Sequence, residues 1–200
     1  MEPLILASRS PRRCELLRRL GIPFETDHPD VDEQCDLPAG DAVGILSSRK
    51  AAASAASHPG RFILAADTLV SLDGTSLGKP RDEADAVRML EALSGKTHQV
   101  YTGVTVICPG GKSFSGTDRT DVTFAVLTEE EILSYVRSGE PMDKAGSYAL
   151  QGRAGLWAEH LSGSDTSVIG LPLYLVRRLL TEAGYPLLSE IGRNTYSKDD

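Results

Sequence analysis

Cysteine is scarce in this chain. Cys14, Cys35 and Cys108 are its three copies, odd in number, widely spaced and without a CxxC pair. That argues against a disulfide framework and a cysteine-built zinc site, and leaves reduced thiols packed as small apolar groups. The four histidines, His28, His58, His98 and His160, show no metal-ligand spacing and are read as structural or surface residues. Positive charge is also in deficit: 21 Lys and Arg stand against 28 Asp and Glu, a formal net charge of -7. A general nucleic-acid binder needs a basic footprint, so that class is set aside. No apolar run approaches the roughly 20 residues of a membrane span, and the amino terminus lacks the basic-then-apolar pattern of a signal peptide. The expectation is a cytoplasmic protein without a membrane partner. Repeats, linkers and low-complexity stretches are lacking as well.

What remains is ordinary globular material: 40% hydrophobic and 24% charged residues over 200 positions, enough for one large domain or two small lobes around a shared sheet. Pro3–Ala7 reads as a short strand, and Ser10-Pro11 as the cap and first turn of a helix ended by Gly21. A strand near Pro23–Thr26 and an acidic stretch precede an alanine-rich helix from Asp41 to about Ser57. Phe62–Leu72 is a strongly apolar strand turning at Asp73-Gly74, and Asp82 caps an amphipathic helix through Leu93. Two strands flank the turn at Pro109-Gly110-Gly111, and Thr128 with Glu131 makes a capping box. Leu171–Gly184 is the expected last helix, followed by a polar tail from about residue 189. Irregular alternation of strands and helices, with hairpins, predicts an α/β fold with a mixed sheet flanked by helices, as a single domain over residues 1–200.

Against the acidic background, Arg12 and Arg13 stand out in the first turn of a helix, where each cation is disfavoured by about 0.3–1 kcal/mol. A phosphate docked at that helix N-terminus would reverse the sign; the alternative is a pair of solvated helix formers tolerating a small penalty. Asp67 follows a nearly unbroken apolar run, near the expected end of a central strand. A buried carboxylate needs a cation, a metal or a chemical task, unless it opens a solvated turn. Lys79, held extended before Pro80, and Lys50, on the alanine-rich helix, are candidate anion ligands whose default is solvation. Glu33 belongs to an acidic run that is ordinarily solvated but could carry Mg²⁺ beside phosphate. Gln151 has the paired donor and acceptor that can read a base edge, and means little alone. Trp157, Tyr148 and Tyr174 sit at core spacing.

The stretches LASRSPRRCELLRRLGI, SSRKAAA, ILAADTLVSLDG, LGKPRDEADAVRML, LSGKTHQVYTGVTV, DKAGSYALQG and IGLPLYLV, in order from residue 4 to about 176, resemble the Maf family of nucleoside triphosphate pyrophosphatases. The resemblance implies an elongated α/β fold with two lobes around a central cleft, similar in shape to inosine triphosphate pyrophosphatases. It implies cleavage of a nucleoside triphosphate to the monophosphate and pyrophosphate, with Asp67 matching the proposed catalytic base. Ser8, Arg12, Arg13, Lys50 and Lys79 match positions lining the triphosphate cleft, and Glu33 matches an acidic residue of the same site; divalent-metal dependence is common in the family, and the expectation is that Asp67 and Glu33 hold Mg²⁺ or Mn²⁺. Homodimers are common in the family.

Arg12, Thr68 and Gln151 resemble members acting on dTTP and UTP, whereas members acting on 7-methyl-GTP typically read SPWR, SDQ and SEG at those places. A 7-methyl-GTP pyrophosphatase is therefore the lesser alternative. A nucleotide-binding regulator of cell division with little turnover is the rival from another class. A carboxylate at 67 favours the enzyme, because an uncompensated negative charge repels phosphate and is more useful for hydrolysis than for binding.

Overall fold

The computed structural model describes residues 2–193. β1 (Leu4–Ala7) is buried at all its positions, as a strand covered on both faces must be. It leads through Ser8 into α1 (Pro11–Arg19), with proline in the first turn as the sequence predicts. Ser10 has the extended backbone of a cap, but its side chain makes no capping bond; its N–H donates to Ser8 Oγ at 3.1 Å instead. β2 (Phe24–Asp27) runs parallel to β1, and α2 (Ala39–Ser57) crosses to β3 (Ile63–Leu72), parallel to β1 on its other side. Parallel neighbours need such crossovers.

From there the chain is antiparallel. β4 (Thr75–Leu77) hairpins onto β3, with Asp73 and Gly74 both at positive φ in the turn. α3 (Glu83–Leu93) is capped by the Asp82 side chain accepting from the Asp85 N–H. β5 (Thr97–Ile107) and β6 (Ser113–Phe124) are the longest strands, and α4 (Glu129–Arg137) carries the full Thr128–Glu131 capping box. β7 (Ala158–Ser162), α5 (Asp165–Ile169), α6 (Leu173–Glu182) and α7 (Leu187–Arg193) follow. Among the described residues seven strands make one mixed sheet in the order β2-β1-β3-β5-β6-β7, with β4 also on β3. No helix among them is long and apolar enough to cross a membrane.

The sheet runs through two lobes. In one, Leu64, Ala66, Val104 and Val106 pack with Leu16 and Leu17 of α1 and Leu175 and Leu179 of α6. In the other, Val70, Val100, Val122 and Phe124 pack with Leu90 and Leu93 of α3, Ile132 and Tyr135 of α4, and Trp157. On the face opposite α1, α2 lies close against the sheet because Gly103 gives way to it. A Cβ at Gly103 would stand 2.2 Å from the Val43 carbonyl oxygen, so only glycine lets helix backbone and strand backbone meet there.

Three expectations need correction. Asp67 lies in the middle of β3, not near its end. Leu171–Gly184 does not contain the last helix: α7 occupies residues 187–193, where a polar tail was expected from about 189, and residues 194–200 lie outside the described residues. Its Leu187 packs against the first core, an attachment invisible in so short an apolar pattern. Tyr174 is 73% exposed, while Tyr148 and Trp157 are core as expected.

Candidate active site

β1 pairs with β3 only as far as Ala7 opposite Ala65, and β4 begins only at Leu77 opposite Val70. Between them one edge of β3, from residue 66 to residue 69, has no strand beside it. A cleft of about 930 Å³ opens there. Asp67 and Thr68 are consecutive, so they leave the strand on opposite faces, and both line the cleft. It also gathers Ser8, Arg12, Arg13, Glu33, Lys50, Lys79 and Gln151, so every site residue singled out in the sequence borders one cavity.

On the α2 face, Lys50 donates to Asp67 at 2.5 Å and to Glu33 at 2.8 Å. The Asp67 and Lys50 side chains are only 12% and 14% exposed, so each is the other's compensation for lost solvation. The default of a solvated Lys50 is thereby set aside. The hydrogen bond from Lys50 holds the Glu33 carboxyl below the usual carboxylate range against partial desolvation, with the charges of Lys79 and Arg13 assisting. Arg49, the residue before Lys50, donates to the carbonyls of Asp32 and Gln34, at 3.0 and 2.9 Å. It grips the backbone on both sides of Glu33. Sequence reasoning missed Arg49, whose bonds to an irregular loop leave no periodic signal.

On the other face, Arg13 is half-buried and its three nitrogens are all engaged: Nε with the Gly170 carbonyl at 2.7 Å, Nη1 with Ser8 Oγ at 3.2 Å, and Nη2 with Thr68 Oγ1 at 3.0 Å. Burial pushes its pKa below the usual arginine value, and the charge of Asp67 opposes that shift. Arg13 is therefore a fixed cation whose charge is felt by Asp67 within the same cleft, while Arg12 reaches across to Asp143 at 3.1 Å. Lys79 is exposed and forms no direct ion pair among the described residues. The cations at the α1 N-terminus thus face a cavity whose backbone end is also positive.

The far wall comes from the segment 143–151. Lys144 pairs with Asp143 and donates to the Glu140 carbonyl at 2.6 Å. Glu140 Oε1 accepts from Tyr135 Oη at 3.0 Å and from the Arg153 N–H at 3.2 Å. A Cβ at Gly152 would lie 2.1 Å from that same oxygen, so the glycine after Gln151 lets the loop close over Glu140. Behind this wall His98, fully buried, contacts Tyr148 Oη through Nε2 at 2.8 Å. Burial drives His98 down to about 4, against the opposing charge of Asp121, so it is neutral at pH 7.

Among the described residues no group of three or more His, Cys, Asp or Glu side chains is placed to cage a metal. Asp67 and Glu33, joined through Lys50, are two hard oxygen donors at the cleft. Mg²⁺ typically takes one or two carboxylates and completes its octahedron with water and substrate phosphates. The donor set fits an ion that arrives with a phosphate chain.

This constellation has relatives. The sequence model of the Maf-like protein family matches residues 3–183. A protein named dTTP/UTP pyrophosphatase from Symbiobacterium thermophilum is 48% identical over 192 residues, covering 94% of this chain and 98% of its own length. One of the same name from Deinococcus radiodurans is 51% identical over 183 residues, covering 90% of this chain and 93% of its own length. At the level of fold alone, the HAM1 protein from Coxiella burnetii superposes with a TM-score of 0.52 at 16% identity, over 91% of this chain and all of that one. The Staphylococcus aureus Ham1 protein gives 0.51 at 11% identity, over 90% of this chain and 99% of that one. With nearly the whole chain matched, and with close relatives along nearly their full length, the protein belongs to the Maf-like family.

Proposed function

We propose that this protein hydrolyses nucleoside triphosphates, dTTP and UTP foremost, at the anhydride between the α and β phosphates, releasing the monophosphate and pyrophosphate. The observation that carries this reading is Asp67: a carboxylate at the open edge of a central strand, bonded to Lys50 and sharing its cleft with Arg12, Arg13 and Lys79. The names of the relatives that share the chain at about half its positions supply the substrate class.

The chain's own groups divide the work. The triphosphate settles among Arg12, Arg13, Lys79 and the α1 N-terminus, which stabilise the charge that gathers on the departing pyrophosphate. Arg12 exchanges Asp143 for phosphate, a better bidentate partner. Asp67, aimed by Lys50, accepts the proton of the water that attacks phosphorus in line. Asp67 and Glu33 would hold a divalent cation, Mg²⁺ or Mn²⁺, which would supply charge neutralisation and help activate water. Thr68 and Gln151 face the base. The family resemblance also supports a homodimer working in the cytoplasm.

The deciding experiment separates products. Purified protein is given dTTP, UTP, CTP, GTP or 7-methyl-GTP with Mg²⁺ or Mn²⁺, and pyrophosphate and orthophosphate are assayed independently. Pyrophosphate released chiefly from dTTP and UTP is the expected result. Orthophosphate as the direct product, or tight nucleotide binding without turnover, defeats the proposal.

A further inference from the structure

Thr68 is not free to turn its hydroxyl as it pleases. Its Oγ1 lies 2.9 Å from Thr102 Oγ1, the residue directly opposite it in the β3–β5 ladder. Thr102 in turn lies 2.8 Å from the Ser167 carbonyl, which can only accept. Thr102, fully buried, therefore spends its single proton on Ser167 and must accept from Thr68. Thr68 in turn spends its single proton on Thr102. The Arg13 Nη2 donor, 3.0 Å away, occupies one Thr68 lone pair. What Thr68 has left for the cleft it lines is one acceptor and no donor.

We infer that Thr102 is a positioning residue that fixes the polarity of Thr68, so that the cleft presents an acceptor to the base and selects pyrimidines carrying an N3–H. The inference rests on the proposed function, in which Thr68 faces the base. Uracil and thymine donate from N3. Cytosine has a lone pair there, which would meet the Thr68 lone pair with no proton between them. A buried polar atom facing another acceptor loses far more than an apolar pair does. Ser167, at the centre of α5, and Gly170, just beyond it, act at two points of the same relay, since the Gly170 carbonyl holds Arg13 Nε at 2.7 Å.

The test compares kcat/KM for UTP and CTP, measured as pyrophosphate release, in the wild-type protein, Thr102→Val and Thr102→Ser, with folding checked by thermal melting. Valine keeps the shape and frees the Thr68 proton to turn toward the cleft. The UTP-to-CTP ratio is expected to fall about tenfold or more in Thr102→Val, the equivalent of one hydrogen bond's discrimination, and to stay at the wild-type value in Thr102→Ser. A purely structural role would lower both substrates together and leave the ratio unmoved, and that outcome overturns the inference. Independently of any variant, wild-type protein is expected to turn over 3-methyl-UTP, which lacks the N3–H, at least about tenfold less efficiently than UTP. Equal efficiency overturns the inference with the enzyme reading intact, whereas no pyrophosphate from UTP in the wild type overturns both.

Discussion

Gly103→Ala is a one-methyl change on a buried strand, and the structure fixes what it must do. The new Cβ would sit 2.2 Å from the Val43 carbonyl oxygen and 2.7 Å from the Gly44 nitrogen. Ordinary contact begins near 3.4 Å, so α2 and β5 must separate by about 1.2 Å, and both obstacles are backbone rather than a side chain that can swing away. Overpacking of this kind costs about 1–3 kcal/mol. The displacement falls where it matters most, because Gly103 pairs directly with Asp67 across the ladder and α2 carries Lys50. An error of about 1 Å in a reacting constellation can reduce rate about 100-fold. Urea unfolding and pyrophosphate release are the paired assays, with Gly110→Ala as control, since nothing lies within 4 Å of a Cβ there. The expected result is both losses in Gly103→Ala and neither in the control. Wild-type stability and turnover in Gly103→Ala would refute the view that this glycine seats the lysine-bearing helix.

Asp67→Asn removes the proton acceptor while keeping the volume, so turnover should drop about 10²–10⁴-fold, and the melting temperature should fall as well because Lys50 loses its buried counter-charge; near wild-type turnover in a folded variant would strip Asp67 of its role as base. Arg49→Met should leave the fold intact and raise the Mg²⁺ concentration for half-maximal rate, because the carbonyls of Asp32 and Gln34 lose their clamp around Glu33; an unchanged metal requirement would separate Glu33 from the cation. His98 makes stability depend on acidity. Its ordinary value of 6.5 falls to about 4 in the fold, so above pH 6.5 its contribution is complete. Between 6.5 and 4 the unfolded chain takes up a proton the native chain refuses, and about 3 kcal/mol is lost by pH 4. Chemical denaturation across that range should show the slope in the wild type and a shallower one in His98→Gln; identical slopes would exclude His98 as its source.

The strand–turn–helix at the amino terminus, the hairpins and the caps at Asp82 and Thr128 were legible because their signals are local: a proline in a first turn, a glycine at positive φ, an acid three residues past a threonine. The residues of the cleft were legible as types in a pattern, and the structure brings them to one cavity. How they are held was not. Arg13 to Gly170 spans 157 positions and Thr68 to Thr102 spans 34, and register across a ladder is not written in spacing along a chain. Asp67 was misplaced toward a strand end because a carboxylate after an apolar run ordinarily marks one; here the strand continues and its neighbour stops. Tyr174 was misjudged because it adjoins Leu175 and Val176 on a helix whose apolar stripe runs beside it rather than through it.

β3 and β5 pass unbroken from one core to the other, contributing Leu64 and Val104 to the first and Val70 and Val100 to the second. A protein whose halves are joined by flexible linkers can shut like a jaw; one whose halves are joined by continuous hydrogen-bonded strands behaves as a gauge of set width. Its two cores should melt in a single transition. Adjustment to a ligand then falls to the segments bordering the gap, the stretch 28–33 and the wall at 143–151.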